Sequence, residues 1–98
     1  MNTAVEIAGV RFKNPIITAS GTFGFGAEYG EFYPLSALGG ICTKGLTINP
    51  KQGNPPPRAT EVYGGMLNAV GLQNPGVEHF LATDDKRLAD EDVVVIAN

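Results

Sequence analysis

The sequence contains very little cysteine: Cys42 is its single thiol. One cysteine excludes an internal disulfide and a multi-cysteine metal site. A chain without disulfides fits the reducing conditions of the cytosol. The cysteine content therefore favours a cytoplasmic protein.

Long apolar runs and basic patches are also absent. No apolar stretch approaches the roughly 20 residues that cross a bilayer, and no basic segment precedes an apolar run at the N-terminus. Ten acidic residues against seven Lys and Arg give a net charge of -3, with the basic residues scattered along the chain. No basic stripe could follow a phosphate backbone. We therefore expect a soluble protein with no membrane segment and no nucleic-acid partner.

The composition of the 98 residues, 43% hydrophobic and 17% charged, is typical of one globular domain. Residues 5–13 alternate apolar and polar side chains on both sides of Ala8 and Gly9, which predicts a short hairpin. Residues 15–20 and 39–45 are short apolar runs, and both are interpreted as strands, the first of them buried.

Between these strands, residues 21–26 (GTFGFG) form a glycine-rich loop. A helix is expected over residues 27–33, where aromatic side chains recur at helical spacing and favour core packing. They are Tyr29, Phe32 and Tyr33.

Residues 46–65 are rich in Pro, Gly and Asn and indicate a long extended excursion. Asn74 as N-cap and Pro75 at the first helical position predict a helix from about 75 to 83, or somewhat further. Its apolar face would carry Val77, Phe80, Leu81 and Leu88. Residues 93–98 (VVVIAN) predict a strand that is buried on both faces of a parallel sheet.

This order of strands and helices predicts right-handed βαβ units and an α/β fold. A complete (β/α)8 TIM barrel requires roughly 250 residues. The expected architecture is therefore the opening portion of one such barrel domain over residues 1–98, preceded by a short N-terminal β-hairpin.

Active sites of βα barrels lie at the carboxyl ends of the strands. The polar residues at these positions are Ser20, Lys44 and Asn98. A lysine at the end of a buried strand indicates an anionic partner, although an exposed lysine remains the simpler alternative. Cys42 shares the face of Lys44 and is interpreted as a core residue.

Residues 68–74 (NAVGLQN) supply three carboxamides, which suit the alternating N–H and C=O edge of a cyclic amide or ureide. Gly71 would let backbone N–H groups approach a carboxylate. An ordinary polar turn before a helix explains the segment equally well. His79 has no second metal ligand at the required spacing and is interpreted as a surface residue.

Three segments, NPIITASGTFGFGAEYGEFY, GGICTKGLTINPKQGNPPPR and GGMLNAVGLQNPG, together resemble the catalytic subunit of class 1B dihydroorotate dehydrogenases over nearly the whole chain. The resemblance implies that FMN binds at Ser20, Lys44, Gly45 and Asn98. It implies that the substrate binds at Lys44 and at the segment Asn68, Ala69, Val70, Gly71 and Leu72. The family's catalytic cysteine base would lie beyond Asn98, and Cys42 does not replace it.

The implied activity is the oxidation of (S)-dihydroorotate to orotate in pyrimidine biosynthesis, with a hydride passing to FMN. A homodimer of catalytic subunits would be joined by an electron-transfer subunit that carries FAD and a [2Fe–2S] cluster and reduces NAD. Residues 1–98 alone are expected to be inactive. Two alternatives are an FMN-barrel dihydropyrimidine dehydrogenase and a non-redox nucleotide-binding module that uses the glycine-rich loop. The glycines at 24 and 26 lack the third glycine of a dinucleotide fingerprint.

Overall fold

The computed structural model describes all residues, 1–98, and contains seven short strands and two short α-helices. In chain order they are β1 (Val5–Ile7), β2 (Val10–Phe12), β3 (Ile17–Thr18), β4 (Gly40–Cys42), β5 (Ala59–Val62), β6 (Gly65–Asn68), α1 (Val77–Ala82), α2 (Asp84–Leu88) and β7 (Val94–Ile96). The helices have six and five residues, and neither could cross a membrane.

Strands β1 and β2 pair antiparallel at the place where the alternation predicts a hairpin. Ala8 and Gly9 both have positive φ, at 50° and 78°, which is the geometry of the tight turns that match strand twist. Phe12 is buried against Gly40, where an added Cβ would lie 2.9 Å from the phenyl ring. Lys13 forms an ion pair of 2.8 Å with Asp92. The hairpin is thereby joined to the central sheet.

The central sheet has the order β3, β4, β7, and both neighbouring pairs are parallel. Parallel neighbours require crossover connections, and helical segments lie in each of them. The α/β class predicted from the alternation is confirmed.

The hydrophobic core covers one face of this sheet. Ile41 of β4 is fully buried there. The ring of Phe25 contacts the ring of Phe80, on α1, with 5.3 Å between the ring centroids. The buried cluster consists of Phe23, Leu35, Leu38, Ile41, Phe80 and Leu88. Helix α2, the glycine-rich loop and β4 therefore share one core.

The outer strands differ from the sequence prediction. Residues 15–20 and 93–98 were expected to be buried strands, but β3 and β7 are only half-buried and Ile16 is exposed. Each of these strands has a sheet neighbour on one side, whereas β4 has neighbours on both. Burial on both faces requires covering elements that residues 1–98 do not supply.

The helix predicted over residues 27–33 is wrong. The segment forms one 3-10 turn, Tyr29–Glu31, and Phe32 is 80% exposed rather than in the core. Tyr29 is also exposed, although its ring stacks on that of Phe23 at 4.3 Å. A helix of this length is marginal in water, and Gly30 in its middle weakens it further. Leu35 and Leu38, in and after a second 3-10 turn, fill the core instead.

The helix predicted from about 75 to 83 is confirmed as α1, but the predicted N-cap Asn74 is wrong, because Gly76 is the N-cap at φ 87° and α1 begins at Val77. Asn74 is buried outside the helix. Its Oδ1 accepts hydrogen bonds from the N–H of Gly76 at 2.9 Å and of Thr47 at 3.1 Å. Phe80 and Leu88 are buried as predicted, whereas Leu81 is exposed.

The excursion contains structure that the sequence did not reveal. Strands β5 and β6 form an antiparallel hairpin around Tyr63 and Gly64, and all of their residues are exposed. Before the hairpin, Lys51 and Asn74 exchange backbone hydrogen bonds of 2.9 and 3.0 Å. The excursion is therefore fastened to the segment that precedes α1.

Candidate active site

The three polar residues that follow the parallel strands converge at the carboxyl edge of the sheet. Asn98, after β7, donates from Nδ2 to Oγ of Ser20, after β3, at 2.8 Å. Ser20 Oγ in turn donates to the carbonyl of Thr43 at 2.7 Å. Lys44 is the residue that follows Thr43. One hydrogen-bonded chain thus connects the ends of all three strands.

Thr43 is the centre of this arrangement, although no sequence motif pointed to it. It is fully buried, its N–H donates to the carbonyl of Ile96 at 2.9 Å, and its Oγ1 accepts from the N–H of Asn98 at 3.4 Å. The alternation of β4 places Thr43 on the face of Ile41, opposite to Lys44. A buried threonine at that position holds the strand ends in register.

Lys44 is half-buried and has no acidic partner, since the ion pair of the chain joins Lys13 and Asp92. Its backbone N–H donates to Gly24 at 3.0 Å, which fixes the residue against the glycine-rich loop. Its Nζ lies 3.8 Å from the position that a Cβ on Gly21 would occupy. A cation held in this way can neutralise an anionic ligand.

Gly45 is buried where Leu72 approaches the sheet edge. An added Cβ would lie 2.7 Å from Cδ1 of Leu72 and 3.7 Å from Nδ2 of Asn98. Leu72 has φ 54°, an uncommon conformation for a residue with a side chain. The folding of the 69–73 loop therefore brings Leu72 to the edge that carries Lys44 and Asn98.

Asn68, at the end of β6, is exposed and does not take part in the hydrogen bonds that join Ser20, Thr43 and Asn98. With Arg58 and Leu67 it lines a surface cavity of about 340 Å³. The structure therefore brings Leu72 to the sheet edge and leaves Asn68 on the neighbouring hairpin.

Val70 and Gly71 pack against a second loop. The N–H of Asn54 donates to the carbonyl of Val70 at 2.9 Å, and its Nδ2 donates to that of Ala69 at 2.8 Å. A Cβ on Gly71, which has φ 81°, would lie 2.8 Å from the nitrogen of Asn54. Within the chain, this contact with Asn54 requires a glycine at position 71.

Cys42 was expected to be a core residue, but it is half-buried and is not a member of the core cluster. The reason is that the face of β4 shared by Cys42 and Lys44 is not the face that packs on the helices. His79 is exposed on α1, as predicted, and no group of acidic, His and Cys side chains could hold a metal. The sheet edge offers hydrogen-bond donors and one cation.

The glycine-rich loop does not lead into a helix that could bind a nucleotide phosphate. It is followed by the three-residue 3-10 turn Tyr29–Glu31, whereas phosphate sites use the aligned N–H groups of a helix start. This loop therefore offers no helix N-terminus at which a nucleotide phosphate could bind.

A family model described as dihydroorotate dehydrogenase matches residues 2–98. The chain is 59% identical to the dihydroorotate dehydrogenase B (NAD(+)), catalytic subunit, of Thermoanaerobacter pseudethanolicus and 60% identical to that of Lachnoclostridium phytofermentans. All 98 residues are aligned, and they cover 32% and 33% of those proteins. The chain thus spans about a third of the length of the curated relatives it matches.

A crystal structure of DHODH from Eimeria tenella in complex with ferulenol has a similar fold. Its TM-score is 0.69 at 22% sequence identity, and the alignment covers 99% of this chain and 28% of that chain. At this identity the likeness concerns the fold alone.

Proposed function

Because the chain belongs to the dihydroorotate dehydrogenase family, we propose that it is part of an FMN-dependent catalytic subunit that oxidises (S)-dihydroorotate to orotate in pyrimidine biosynthesis. Residues 1–98 would be the opening portion of a single (β/α)8 barrel domain. The observation that carries the proposal is Lys44, a half-buried cation without an acidic partner at the carboxyl end of the central strand.

The sheet edge fits a flavin by the chemistry of its donors. Ser20 and Asn98 offer a hydroxyl and a carboxamide 2.8 Å apart, which suit the mixed N–H and C=O edge of a flavin ring. Gly45, with no Cβ, lets Leu72 pack closely next to them. We assign FMN binding to Ser20, Lys44, Gly45 and Asn98. When bound, FMN would supply the hydride acceptor.

Lys44 and the segment 68–72 are assigned to the substrate. The ammonium group of Lys44 would hold the dihydroorotate carboxylate and stabilise negative charge that develops during the reaction, an electrostatic role. Asn68 would pair with the ureide edge through its carboxamide. The backbone of Ala69, Val70, Gly71 and Leu72 would line the rest of the site. The proton would be removed by a cysteine base outside residues 1–98, as the family resemblance implies, and not by Cys42.

The names of the relatives, "B (NAD(+)), catalytic subunit", support a partner subunit. We propose a homodimer of catalytic subunits joined to electron-transfer subunits that carry FAD and a [2Fe–2S] cluster and pass electrons to NAD. Such an assembly would work in the cytoplasm. The alternative of a dihydropyrimidine dehydrogenase would use the same edge for a related cyclic amide, and substrate specificity separates the two.

The test is the Lys44→Ala variant of the full-length enzyme. Single-turnover reduction of the flavin by dihydroorotate should slow by roughly 10²–10³-fold, as for the loss of other positioned groups that stabilise developing charge. Lys86→Ala, which removes an exposed lysine from α2, is the matched control and should behave as wild type. Wild-type reduction in Lys44→Ala would contradict the assignment. Faster turnover of dihydrouracil than of dihydroorotate would favour the alternative.

A further inference from the structure

Arg58, in the extended excursion, places its guanidinium group between two loops. Its Nε donates to the carbonyl of Asn54 at 2.6 Å, and its Nη2 donates to that of Gln52 at 3.1 Å. Its Nη1 donates to Oε1 of Gln73 at 2.6 Å. The side chain is half-buried and has no acidic partner. All three contacts are therefore to neutral acceptors, two on loop 52–54 and one at Gln73.

The backbone of Arg58 contacts the same region. Its carbonyl accepts from the N–H of Ala69 at 2.7 Å, next to the paired residues Ala59 and Asn68 of the β5–β6 hairpin. Arg58 therefore contacts both ends of the segment 68–73. Its carbonyl accepts from Ala69 near the start of the segment, and its side chain donates to Gln73 at the end.

The two loops that Arg58 joins are packed closely. A Cβ on Gly53 would lie 2.4 Å from the carbonyl oxygen of Val70 and 3.2 Å from Cβ of Gln73. Gly71 and Leu72 both have positive φ, and a side-chain-bearing residue in that region is strained. A backbone of this kind persists only where surrounding contacts hold it, and loop 52–54 makes such contacts at Val70 and Gly71.

We propose that Arg58 is a positioning residue for the segment 68–72, which it holds in the conformation that presents Asn68 and Leu72 to the substrate. This inference rests on the function proposed above, because the segment matters for catalysis only if it lines the substrate site. Arg58 acts through loop 52–54 and Gln73, and it need not touch the ligand. The planar guanidinium group of arginine donates from three different nitrogen atoms held in one plane, whereas lysine donates from a single nitrogen.

The experiment uses the full-length enzyme and the variants Arg58→Ala, Arg58→Lys and Gln73→Ala, with Arg11→Ala as the control for removal of an exposed arginine. Amide hydrogen exchange is measured at Asn54 and Ala69, whose N–H groups bridge the two loops. Orotate affinity is measured from the change in flavin absorbance, and flavin content is determined in parallel.

In Arg58→Ala, exchange at both amides should accelerate and the Kd for orotate should rise by roughly tenfold, the effect of losing a hydrogen bond to a charged group. Flavin content and exchange in β4 should stay as in wild type, which general destabilisation would not allow. Arg58→Lys should not restore orotate affinity. Gln73→Ala should produce smaller increases in amide exchange and in the Kd for orotate. If Arg58→Ala does not fold, Gln73→Ala is the variant that tests the inference.

Wild-type exchange and orotate affinity in a folded Arg58→Ala or Gln73→Ala variant would overturn the inference. The proposed function would be overturned by a different result, namely that the wild-type protein binds neither FMN nor orotate. In that case, accelerated exchange in Arg58→Ala would still establish that Arg58 holds the segment, and unchanged exchange would refute it.

Discussion

At the scale of single residues, Lys44 and Arg58 are two half-buried cations with different surroundings. The guanidinium of Arg58 donates to three acceptors of the chain. The ammonium of Lys44 has no hydrogen-bond or ion-pair partner within the chain. Neither has an acidic neighbour. A cation that donates to several protein acceptors holds protein segments together, and a cation without a protein partner can hold a ligand. The contacts of Arg58 are thereby structural, whereas Lys44 keeps an ammonium group that is available to the ligand proposed above.

Asn68→Ala tests the substrate segment at the same scale. We expect weaker orotate binding and slower flavin reduction in the full-length enzyme, because an amide edge left unpaired in a closed site costs roughly 1–3 kcal/mol. Flavin content should not change, since Asn68 lies outside the Ser20–Asn98 edge. Asn49→Ala removes an exposed carboxamide elsewhere and serves as the control. Unaltered orotate titration in Asn68→Ala would remove Asn68 from the site.

At the scale of elements, the glycine-rich loop takes the place of a helix against the sheet. Phe23 in this loop is buried in the core, and Phe25 packs on Phe80. Arg87 of α2 donates from Nη2 to the carbonyl of Phe25 at 2.6 Å. A loop with glycines can follow the curvature that these contacts demand, and α2 fixes it in place. The same loop, through Gly24, holds the backbone of Lys44.

Leu88→Ala should reveal how much α2 contributes to stability. Leu88 is 1% exposed in the core, and shortening a buried leucine costs about 2–5 kcal/mol in transfer and cavity energy. Leu81→Ala is the matched control, because Leu81 on α1 is 52% exposed. Chemical denaturation of the full-length enzyme should show a lower midpoint for Leu88→Ala only. Equal midpoints would mean that α2 does not pack as described.

At the scale of the whole molecule, the 98 residues are less condensed than a self-contained domain. The radius of gyration is 15.4 Å, against about 13 Å for a compact domain of 100 residues. Fourteen residues are buried, and β3 and β7 each leave one edge unpaired. Exposed apolar side chains also lie on the β5–β6 hairpin, among them Tyr63, Met66 and Leu67. The hydrophobic core is therefore small and covers only one face of the central sheet.

Residues 1–98 expressed alone should therefore be neither a stable monomer nor an FMN-binding protein. Open edges of a parallel sheet pair with other chains, so association or a molten state is the expected behaviour. Analytical ultracentrifugation, thermal unfolding and flavin absorbance are the measurements. A monomer that unfolds cooperatively and carries flavin would refute this prediction and the barrel architecture with it.

The sequence by itself determined the features that depend on near neighbours in the chain. Period-two alternation around Ala8 and Gly9 located the hairpin, and the apolar run before Lys44 located β4, because side-chain direction in a strand follows from backbone geometry. Parallel strands end at one edge, so the convergence of Ser20, Lys44 and Asn98 followed from their positions at the strand ends. The segments quoted for the family resemblance are local in the same sense, and the family they indicated is confirmed.

Where a residue had two possible partners, only the tertiary structure decided between them. Asn74 could cap α1. Instead, its side chain accepts hydrogen bonds from Thr47, 27 residues away in sequence, and from the N–H of Gly76, and α1 begins at Val77. Phe32 has helical spacing, yet Leu35 and Leu38 occupy the core it would have entered. The three acceptors of Arg58 likewise come from two loops that no local pattern connects. Such choices depend on the free energy of long-range contacts, which arises only when distant segments meet.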